Sequence, residues 1–589
     1  MRKTLRHLTP GNSDTTYSLR YWLVGAGLLF ACIQGADAQS APKAMFYVGM
    51  EGECCGEDPH PVHGHPTPDG GYVVGGKSID AGQEWQGFAV KVGPESFSGT
   101  VRLGQEQEKT YQWAVTFGSD GQRDTVNSVA PMGDAVFLAG LKSNTAGTGN
   151  GYLAKHDLST GQLRWDLMLA SDVPGTARAI EALERTADGG LYVAGLTGAA
   201  PDAFEGFKSY GNPTDGMAEL MYFDAAHLAG EQAPAGPKWT KTFESFTTIK
   251  GVRALPQLGD GVIVLAHHED AHPTLIRLAA TGEVIWQQAY PDAGEPTDLV
   301  VLDDNGVMSG FAFTGHGGTD ESLDGFAIKV SPNGELQWKS VVGDPAGGVG
   351  QFAGLGAGNP KLIFDECWSI STAPNGGMVL GCGTGIEGCD LWAEGSAIRQ
   401  ECDADPRKTW RALLTRLDKD GAVVWQRTDS FQPPNGDEVS SSASEFVSRT
   451  ADGGWMSVVD EAFGIGIMVL APESGSGSTG TEPGGEVLPS DEEEPTSDDP
   501  SRDENREDAD DIEPRDAETD DPGDGAADIE ESTSDDVDPT TTSGEEGRIQ
   551  IVGTPGCTMV APGANGTQLT WVVLLIALAG LGRVRFRRS

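Results

Sequence analysis

The sequence predicts an all-β chain folded as a seven-bladed β-propeller of four-stranded blades. Three observations support this fold class. A nine-residue phrase recurs seven times between residues 44 and 470, and its copies begin 45 to 77 residues apart. That spacing suits a four-stranded blade with loops of variable length. The 82 Gly and 34 Pro among 589 residues favour turns over long helices.

The recurring phrase is a turn that feeds a strand. Its copies are PDGGYVVGG from Pro68, MGDAVFLAG from Met132, ADGGLYVAG from Ala187, LGDGVIVLA from Leu258, DDNGVMSGF from Asp303, PNGGMVLGC from Pro374 and ADGGWMSVV from Ala451. Asp-Gly-Gly and Asn-Gly are turn sequences because Gly tolerates positive φ. The β-branched and aromatic run that follows is typical of a buried strand.

A second signature follows the phrase and predicts a hairpin. Examples are GFAVKV from Gly87, GFAIKVSPNGELQW from Gly325 and ALLTRLDKDGAVVW from Ala412. The last strand of the hairpin carries a tryptophan, at Trp113, Trp165, Trp239, Trp286, Trp338 and Trp425. We expect these rings to fill the space between neighbouring sheets, since one large aromatic recurs per blade.

The ring is predicted to close through its first strand. The seventh phrase is followed by a strand at about residues 465–470 and then by an acidic tail, so its blade lacks a fourth strand. The segment AMFYVGM, Ala44–Met50, can supply that strand. A closed ring leaves no open sheet edges between its first and last blades. The propeller domain is therefore predicted to span residues 44–471.

These motifs resemble those of bacterial repeat-propeller proteins built on TxDGGYIVAG…LxKLDxNGxxxW units. More distantly they resemble quinoprotein-like propellers, whose Thr-Gly-x-x-x-Trp phrase occurs here at residues 160–165 and 281–286. The resemblance implies the propeller fold over about 430 residues and leaves activity open, because such propellers include enzymes, receptors and scaffolds. Enzymatic quinoproteins need cofactor-binding residues and a central calcium site, which cannot be placed in this sequence. Seven copies, where quinone dehydrogenases usually have eight blades, also argue against a cofactor.

The two ends of the chain indicate an exported protein. Residues 1–38 read as a signal peptide, with basic residues, an apolar run from Tyr21 to Ile33, and small residues that predict cleavage after Ala38. Residues 472–547 hold 29 Asp/Glu and 3 Arg, and they predict a disordered acidic stalk. The chain's formal charge of −48 argues against nucleic-acid binding.

Residues 548–589 resemble the bacterial C-terminal sorting signals of the MYXO-CTERM and GlyGly-CTERM kind. They contain Gly556-Cys557-Thr558, a polar spacer, a short hydrophobic helix at 569–586 and an arginine-rich end. By that resemblance Cys557 is the processing site, and the protein is either membrane-anchored in the cell envelope or released at the outer surface. A plain single-pass anchor is the alternative, although its 12 uninterrupted apolar residues are fewer than the roughly 20 that span a bilayer.

Cysteine and histidine residues supply the remaining candidate sites. Outside the cytoplasm we expect disulfides from Cys54, Cys55, Cys367, Cys382, Cys389 and Cys402, with unknown connectivity. The last four would fix the insertion at 383–408, and a zinc site is their alternative. In the motif CCGEDPHPVHGH, His60, His63 and His65 could hold a transition metal such as zinc or copper. The alternative is an ordered loop with a disulfide between blades.

No local catalytic motif of the serine hydrolase, zincin or P-loop type occurs in the body of the chain. The sequence therefore favours a non-enzymatic, cell-surface propeller that binds an extracellular protein, glycan or other ligand through its loops, with no assigned cofactor. Two alternatives stay open. One is an extracellular quinone- or metal-dependent enzyme that uses the central channel, and the other is a structural envelope protein.

Overall fold

The computed structural model describes residues 44–50, 57–79, 85–97, 111–118, 123–143, 148–200, 215–259, 261–268, 271–304, 306–319, 322–343, 363–386, 389, 393–404, 410–429, 441–461 and 464–473. Within these ranges the chain forms 28 strands and two short α-helices, α1 (Ala225–Leu228) and α2 (Ala397–Ala404). Neither of these helices is long and apolar enough to cross a bilayer. The predicted signal peptide, the sorting signal with its hydrophobic helix, and the stalk beyond residue 473 lie outside the described residues.

The strands, in chain order, are β1 (Ala44–Met50), β2 (Glu57–Pro66), β3 (Tyr72–Ile79), β4 (Trp85–Val92), β5 (Trp113–Phe117), β6 (Asp124–Met132), β7 (Ala135–Ser143), β8 (Gly149–Asp157), β9 (Leu163–Leu169), β10 (Ala177–Arg185), β11 (Leu191–Ala199), β12 (Met217–Phe223), β13 (Trp239–Phe243) and β14 (Thr248–Leu255). They continue with β15 (Gly261–His268), β16 (Ala271–Leu278), β17 (Val284–Ala289), β18 (Glu295–Asp304), β19 (Val307–Thr319), β20 (Ser322–Val330), β21 (Leu336–Val342), β22 (Ile363–Ala373), β23 (Gly377–Ile386), β24 (Arg411–Leu417), β25 (Val423–Asp429), β26 (Ser442–Arg449), β27 (Trp455–Glu461) and β28 (Gly464–Leu470).

The described strands form an all-β propeller with five separate four-stranded blades. Four are the consecutive sets β2–β5, β6–β9, β10–β13 and β14–β17, and the fifth has the order β1-β28-β27-β26. The predicted number of seven separate blades is wrong. Strands β18–β25 form a single eight-stranded sheet, because Leu323 of β20 pairs in parallel with Phe364 of β22. Each half of that sheet repeats the antiparallel order of the other blades.

The first strand does complete the last blade. Strand β1 pairs antiparallel with β28, with Ala44 opposite Leu470 and Met50 opposite Gly464. The last blade also packs on the first, since Val458 and Ile467 share an apolar cluster with Val74 and Phe88. Equivalent clusters join each remaining sheet, or half of the eight-stranded sheet, to the next one along the chain. The ring is therefore closed by packing as well as by strand pairing.

The Asp-Gly-Gly phrases are tight turns, as predicted. In the turn that starts at Thr186, the Thr hydroxyl donates to Asp188 Oδ1 at 2.5 Å, and the Gly189 N–H donates to the Thr186 carbonyl at 3.1 Å. Gly189 has φ of 88°, a conformation that only Gly adopts without strain. The same contacts recur in the turns that start at Thr67 and Thr450. This chemistry explains why the phrase repeats.

The recurring tryptophans tie each blade to a neighbour. The Trp113 indole N–H donates to the Leu158 carbonyl at 3.0 Å, and the Trp338 indole N–H donates to the Lys419 carbonyl at 3.0 Å. Four of the rings, those of Trp113, Trp239, Trp286 and Trp338, also cover the turn glycine of the next hairpin, so that a Cβ at Gly161 would lie 2.8 Å from Trp113. The prediction that the tryptophans pack between sheets is confirmed.

Candidate functional site

The axis of the ring is lined by seven inner strands, which are the first strand of each blade and of each half of the eight-stranded sheet. In the blade that contains β1, this strand is β26. Each inner strand contains a β-bulge, where one extra residue is inserted into the pairing with the next strand. The extra residues are Val62, Asn127, Glu181, Lys250, Thr297, Trp368 and Glu445. Positions +1 to +4 are counted from the extra residue, so equivalent residues on different inner strands can be compared.

Side chains at position +1 connect neighbouring inner strands. His63 Nδ1 accepts the Val129 N–H at 3.2 Å, and Ser128 Oγ accepts the Leu183 N–H at 3.1 Å. In both contacts the donor lies at position +2 of the next inner strand. A buried N–H without an acceptor is costly, so these contacts stabilise the ring at its axis.

The same contact recurs on the other side of the ring. Asp298 Oδ2 accepts the Ile370 N–H at 3.3 Å, and Ser369 Oγ accepts the Val447 N–H at 2.9 Å. The four accepting side chains differ in chemical type and have only a hydrogen-bond acceptor in common: His63, Ser128, Asp298 and Ser369. Their common feature is their position after the bulge.

Three inner strands have no acceptor at position +1, and residues at position +3 provide the contact instead. Glu184 Oε1 accepts the Ala254 N–H at 3.4 Å, and Arg253 pairs with Asp298 at 2.9 Å. Ser448 Oγ donates to the Gly64 carbonyl at 3.3 Å, which joins the last inner strand to the first. Together these seven contacts form a closed circle, which we call the axial belt.

The Ser128 and His63 pair belongs to the axial belt and is not arranged for nucleophilic catalysis. Because His63 Nδ1 accepts a backbone N–H, the neutral imidazole carries its proton on Nε2. That nitrogen lies 3.4 Å from Ser128 Oγ and can only donate to it. A general base would have to accept the serine proton at this atom. The geometry therefore holds strands together and leaves the hydroxyl unactivated.

A cavity of about 270 Å³ lies at the end of the axis formed by positions +3 and +4. All seven inner strands contribute to its wall. The residues at position +3 are His65, Ala130, Glu184, Arg253, Val300, Ser371 and Ser448, and those at position +4 include Pro66, Pro131, Arg185, Thr372 and Arg449. With His63 at position +1, the lining thus combines hydroxyl groups, two imidazoles, one carboxyl group and three guanidinium groups. A concave site with convergent polar groups is the usual form of a ligand site.

Two of the three arginines occupy equivalent positions. Arg185 Nη1 donates to the Pro131 carbonyl at 3.1 Å, and Arg449 Nη1 donates to the Thr372 carbonyl at 3.2 Å. In each case the acceptor is position +4 of the preceding inner strand. Arg449 also lies over the Trp455 ring, with its guanidinium carbon 5.0 Å from the ring centroid. These contacts fix each guanidinium while using few of its five donors.

Positive charges outnumber negative charges around the cavity. Within the described part of the chain, neither Arg185 nor Arg449 forms an ion pair with a carboxylate. Burial, and after it the positive charge of Arg416, lowers the pKa of Arg449. Burial raises the pKa of Glu184 against the opposing effect of Arg253, so the negative charge of this carboxyl is disfavoured. The cavity therefore carries an excess of positive charge.

The opposite end of the inner strands has paired charges. The Arg178 guanidinium contacts the Glu219 carboxylate at 2.9 Å, and Lys250 Nζ lies 3.9 Å from Glu295 Oε1. Burial, followed by the positive charge of Lys250, lowers the pKa of His267 to about 4. The two ends of the axis thus differ in charge compensation: at the arginine end, two guanidinium groups that line the cavity form no ion pair among the described residues.

The three predicted metal-ligating histidines are divided between different contacts. His63 and His65 lie in edge-to-face contact with ring centroids 5.0 Å apart, while His60 Nδ1 contacts Asp460 Oδ2 at 2.7 Å. Among the residues that the structure describes, no group of three His, Cys, Asp or Glu side chains is placed to hold a metal ion. Metal binding by this segment stays a prediction.

The expected disulfides of the sixth phrase are present. Cys367 pairs with Cys382 across β22 and β23, and Cys389 pairs with Cys402 within the insertion. These pairs account for the four cysteines that the zinc alternative would have used. Cys54, Cys55 and the processing residues Ala38 and Cys557 lie outside the described residues.

The cavity arginines were missed by the sequence analysis, although a local signal exists. Arg185 and Arg449 each precede the sequence Thr-Ala-Asp-Gly-Gly, at residues 186–190 and 450–454. The turn phrase fixes the end of the inner strand, so the residue before Thr lies at the rim of the axis. Aligning the copies from two residues earlier would have placed both arginines there.

No protein-family model and no curated protein matches the chain. Similar solved structures include BamB from Moraxella catarrhalis, at 11% identity and TM-score 0.30 over 72% of this chain and 84% of that one. The WD40 domain of Pan2 from Neurospora crassa matches at 10% identity and TM-score 0.35, over 70% and 89%. Quinohemoprotein alcohol dehydrogenase ADHIIG from Pseudomonas putida HK5 matches at 11% identity and TM-score 0.35, over 72% and 78%. Likenesses this low carry no argument, and the fold assignment rests on the strand pairing and packing described above.

Proposed function

We propose that this chain is a non-enzymatic, cell-surface β-propeller that binds an extracellular protein, glycan or other ligand. The binding face is the end of the ring that holds the axial cavity. The observation that carries this proposal is a cavity walled by all seven inner strands, five of which contribute polar side chains to it. In a ring whose inner strands are joined by an axial belt, such a cavity is preformed, and a preformed site loses little entropy when it binds.

The proposal keeps the cellular address expected from the sequence. Export would end with cleavage after Ala38, and processing at Cys557 would leave the propeller anchored or released at the outer surface. The acidic segment would act as a stalk that holds the ring away from the envelope. Accessibility of the propeller to a protease added to intact cells tests this part, with a cytoplasmic protein as the control for lysis.

Ligand binding is tested with the purified full chain on arrays of extracellular glycans and surface proteins. Thr372→Trp adds bulk at the cavity wall, where Thr372 is half-buried. Leu163→Trp is the matched control, because Leu163 is 52% exposed on an outer strand. Binding that is lost in Thr372→Trp and kept in Leu163→Trp supports the proposal. Equal binding by both variants would show that the ligand site lies elsewhere.

The same preparation distinguishes the enzymatic alternative. Bound metal is measured by elemental analysis, and a bound quinone by its absorbance. A stoichiometric cofactor that raises the melting temperature would contradict a purely binding role. A ring that carries no cofactor and still binds a ligand through the cavity face would support that role.

A further inference from the structure

We propose that the axial cavity binds a terminal acidic sugar, whose carboxylate is attracted by Arg185 and Arg449, both of which line the cavity. This inference rests on the proposed function, because it names the ligand class for the same face of the ring. It is carried by the charge, size and chemical lining of the cavity.

The charge argument begins with the two arginines at position +4. Each is held in place by one backbone carbonyl, and neither forms an ion pair among the described residues. Arg185 is exposed and Arg449 is half-buried, so both guanidinium groups keep N–H donors that an incoming anion can reach. Planar guanidinium groups bind carboxylates through two parallel hydrogen bonds, which favours a carboxylate over a spherical anion.

The two carboxyl groups of the axial belt have other partners. The Asp298 carboxylate is already bound by Arg253 and by the N–H groups of Leu299 and Ile370. Glu184 accepts the Ala254 N–H within the axial belt. The chain as a whole carries a formal charge of −48, so a local excess of positive charge stands out against an acidic background.

The volume and the lining residues of the cavity indicate the chemistry of the ligand beyond its carboxylate. A volume of about 270 Å³ lies at the lower end of the range for ligand pockets, roughly 300–1,000 Å³. Because inner strands wall the cavity on all sides, it accepts the end of a ligand and not a chain that passes through. Ser371, Thr372, Ser448 and His65 line it with neutral hydrogen-bonding groups. A sugar ring with hydroxyl groups and one carboxylate matches the neutral hydrogen-bonding groups and the guanidinium groups of the cavity better than a peptide side chain does.

Calorimetry on the full chain tests the inference, with a glucuronate-terminated trisaccharide as the probe. The matched neutral probe is the glucose-terminated trisaccharide. Arg185→Gln and Arg449→Gln should each weaken binding of the acidic probe about 10- to 100-fold, since each removes a charge-assisted contact. The control double variant Arg399→Gln/Lys419→Gln removes two positive charges from outside the cavity and should change affinity less than about threefold.

The outcomes separate this inference from the proposed function. Preference for the acidic probe, lost in the two cavity variants with unchanged melting temperatures, supports the inference. Equal binding of the neutral probe, blocked by Thr372→Trp, would overturn the acidic sugar while keeping the cavity face as the binding site. Tighter binding of a peptide carboxy-terminus or of inorganic sulfate at the same arginines would overturn the sugar assignment. Binding of every probe unaffected by Thr372→Trp would contradict both proposals.

Discussion

Replacing Asp298 by alanine should destabilise the ring by about 3–5 kcal/mol, although this residue touches no predicted ligand. Asp298 is fully buried and joins three inner strands. Its carboxylate pairs with Arg253 at 2.9 Å, accepts the Leu299 N–H at 2.8 Å and accepts the Ile370 N–H at 3.3 Å. Alanine leaves all three donors without this acceptor.

The magnitude follows from two costs. Removing one partner of a buried ion pair costs about 3–5 kcal/mol, and the 19% exposure of the Arg253 side chain reduces that to about 2–4 kcal/mol, because water can reach the guanidinium. The orphaned Ile370 N–H adds about 1 kcal/mol. Arg253→Met should cost less, about 1–3 kcal/mol, since the Asp298 carboxylate keeps its two backbone donors.

Equilibrium urea unfolding of the full chain, followed by tryptophan fluorescence, measures these differences. The double variant Asp298→Ala/Arg253→Met should be more stable than the sum of the single losses by about 1–3 kcal/mol, because it removes both charges. Asp292→Ala is the control, as this exposed Asp should change stability by less than about 0.5 kcal/mol. A loss below about 1 kcal/mol for Asp298→Ala, or strict additivity in the double variant, would refute the axial belt as a stabilising structure.

Three further predictions concern stability. The pKa of His267 in the folded chain is about 4, below its ordinary 6.5, so the unfolded chain binds the proton more tightly than the folded chain does. The free energy of unfolding should therefore fall by up to about 3 kcal/mol as the pH drops from 6.5 to 4. His267→Gln should flatten that part of the pH profile measured by urea denaturation. Gly161→Ala should cost about 2–4 kcal/mol in urea unfolding, because φ is 72° and the new Cβ would lie 2.8 Å from an indole ring, whereas Gly133→Ala, with φ of 61° and open space, should cost about 1 kcal/mol; equal losses would contradict the packing argument. Cys389→Ser/Cys402→Ser should speed hydrogen exchange in α2 at least about tenfold and leave the melting temperature of the ring nearly unchanged, so a large fall in melting temperature would show that the insertion supports the ring.

The sequence predicted the features that depend on local chemistry. Turns such as the one at Thr186 need Gly with positive φ, and that requirement appears as a repeated phrase. Trp113 recurs as Trp239, Trp286 and Trp338 because each of these four rings covers the turn glycine of the next hairpin. The pairing of β1 with β28 was predictable because the blade of the seventh phrase lacked a fourth strand, and residues 44–50 formed a candidate strand ahead of the first phrase.

The number of separate blades was not predictable in this way. The number of recurring phrases gives the number of four-strand sets in the ring. Whether two of these sets form one sheet depends on a single contact between segments that are distant in the sequence. Leu323 and Phe364 are separated by 41 positions in the sequence, and no local pattern marks them as partners. The axial belt was missed for a related reason, since His63 and Ser369 share a place after a bulge and no common residue type.

The two kinds of contact along the inner strands differ in what they require of a side chain. At position +1 the donors are backbone N–H groups, which every residue except proline provides, so Asp, Ser or His can serve equally as acceptors. At position +4 the contact is reversed, because the Arg185 and Arg449 side chains donate to backbone carbonyls. The Thr372 carbonyl also accepts the Trp455 indole N–H at 3.0 Å, so it keeps a donor when the Arg449 contact is lost. Arg185 is exposed, so loss of its contact costs little stability. Residues at position +4 can therefore be substituted while the axial belt stays intact. Substitutions of these two arginines should accordingly change binding far more than the free energy of unfolding.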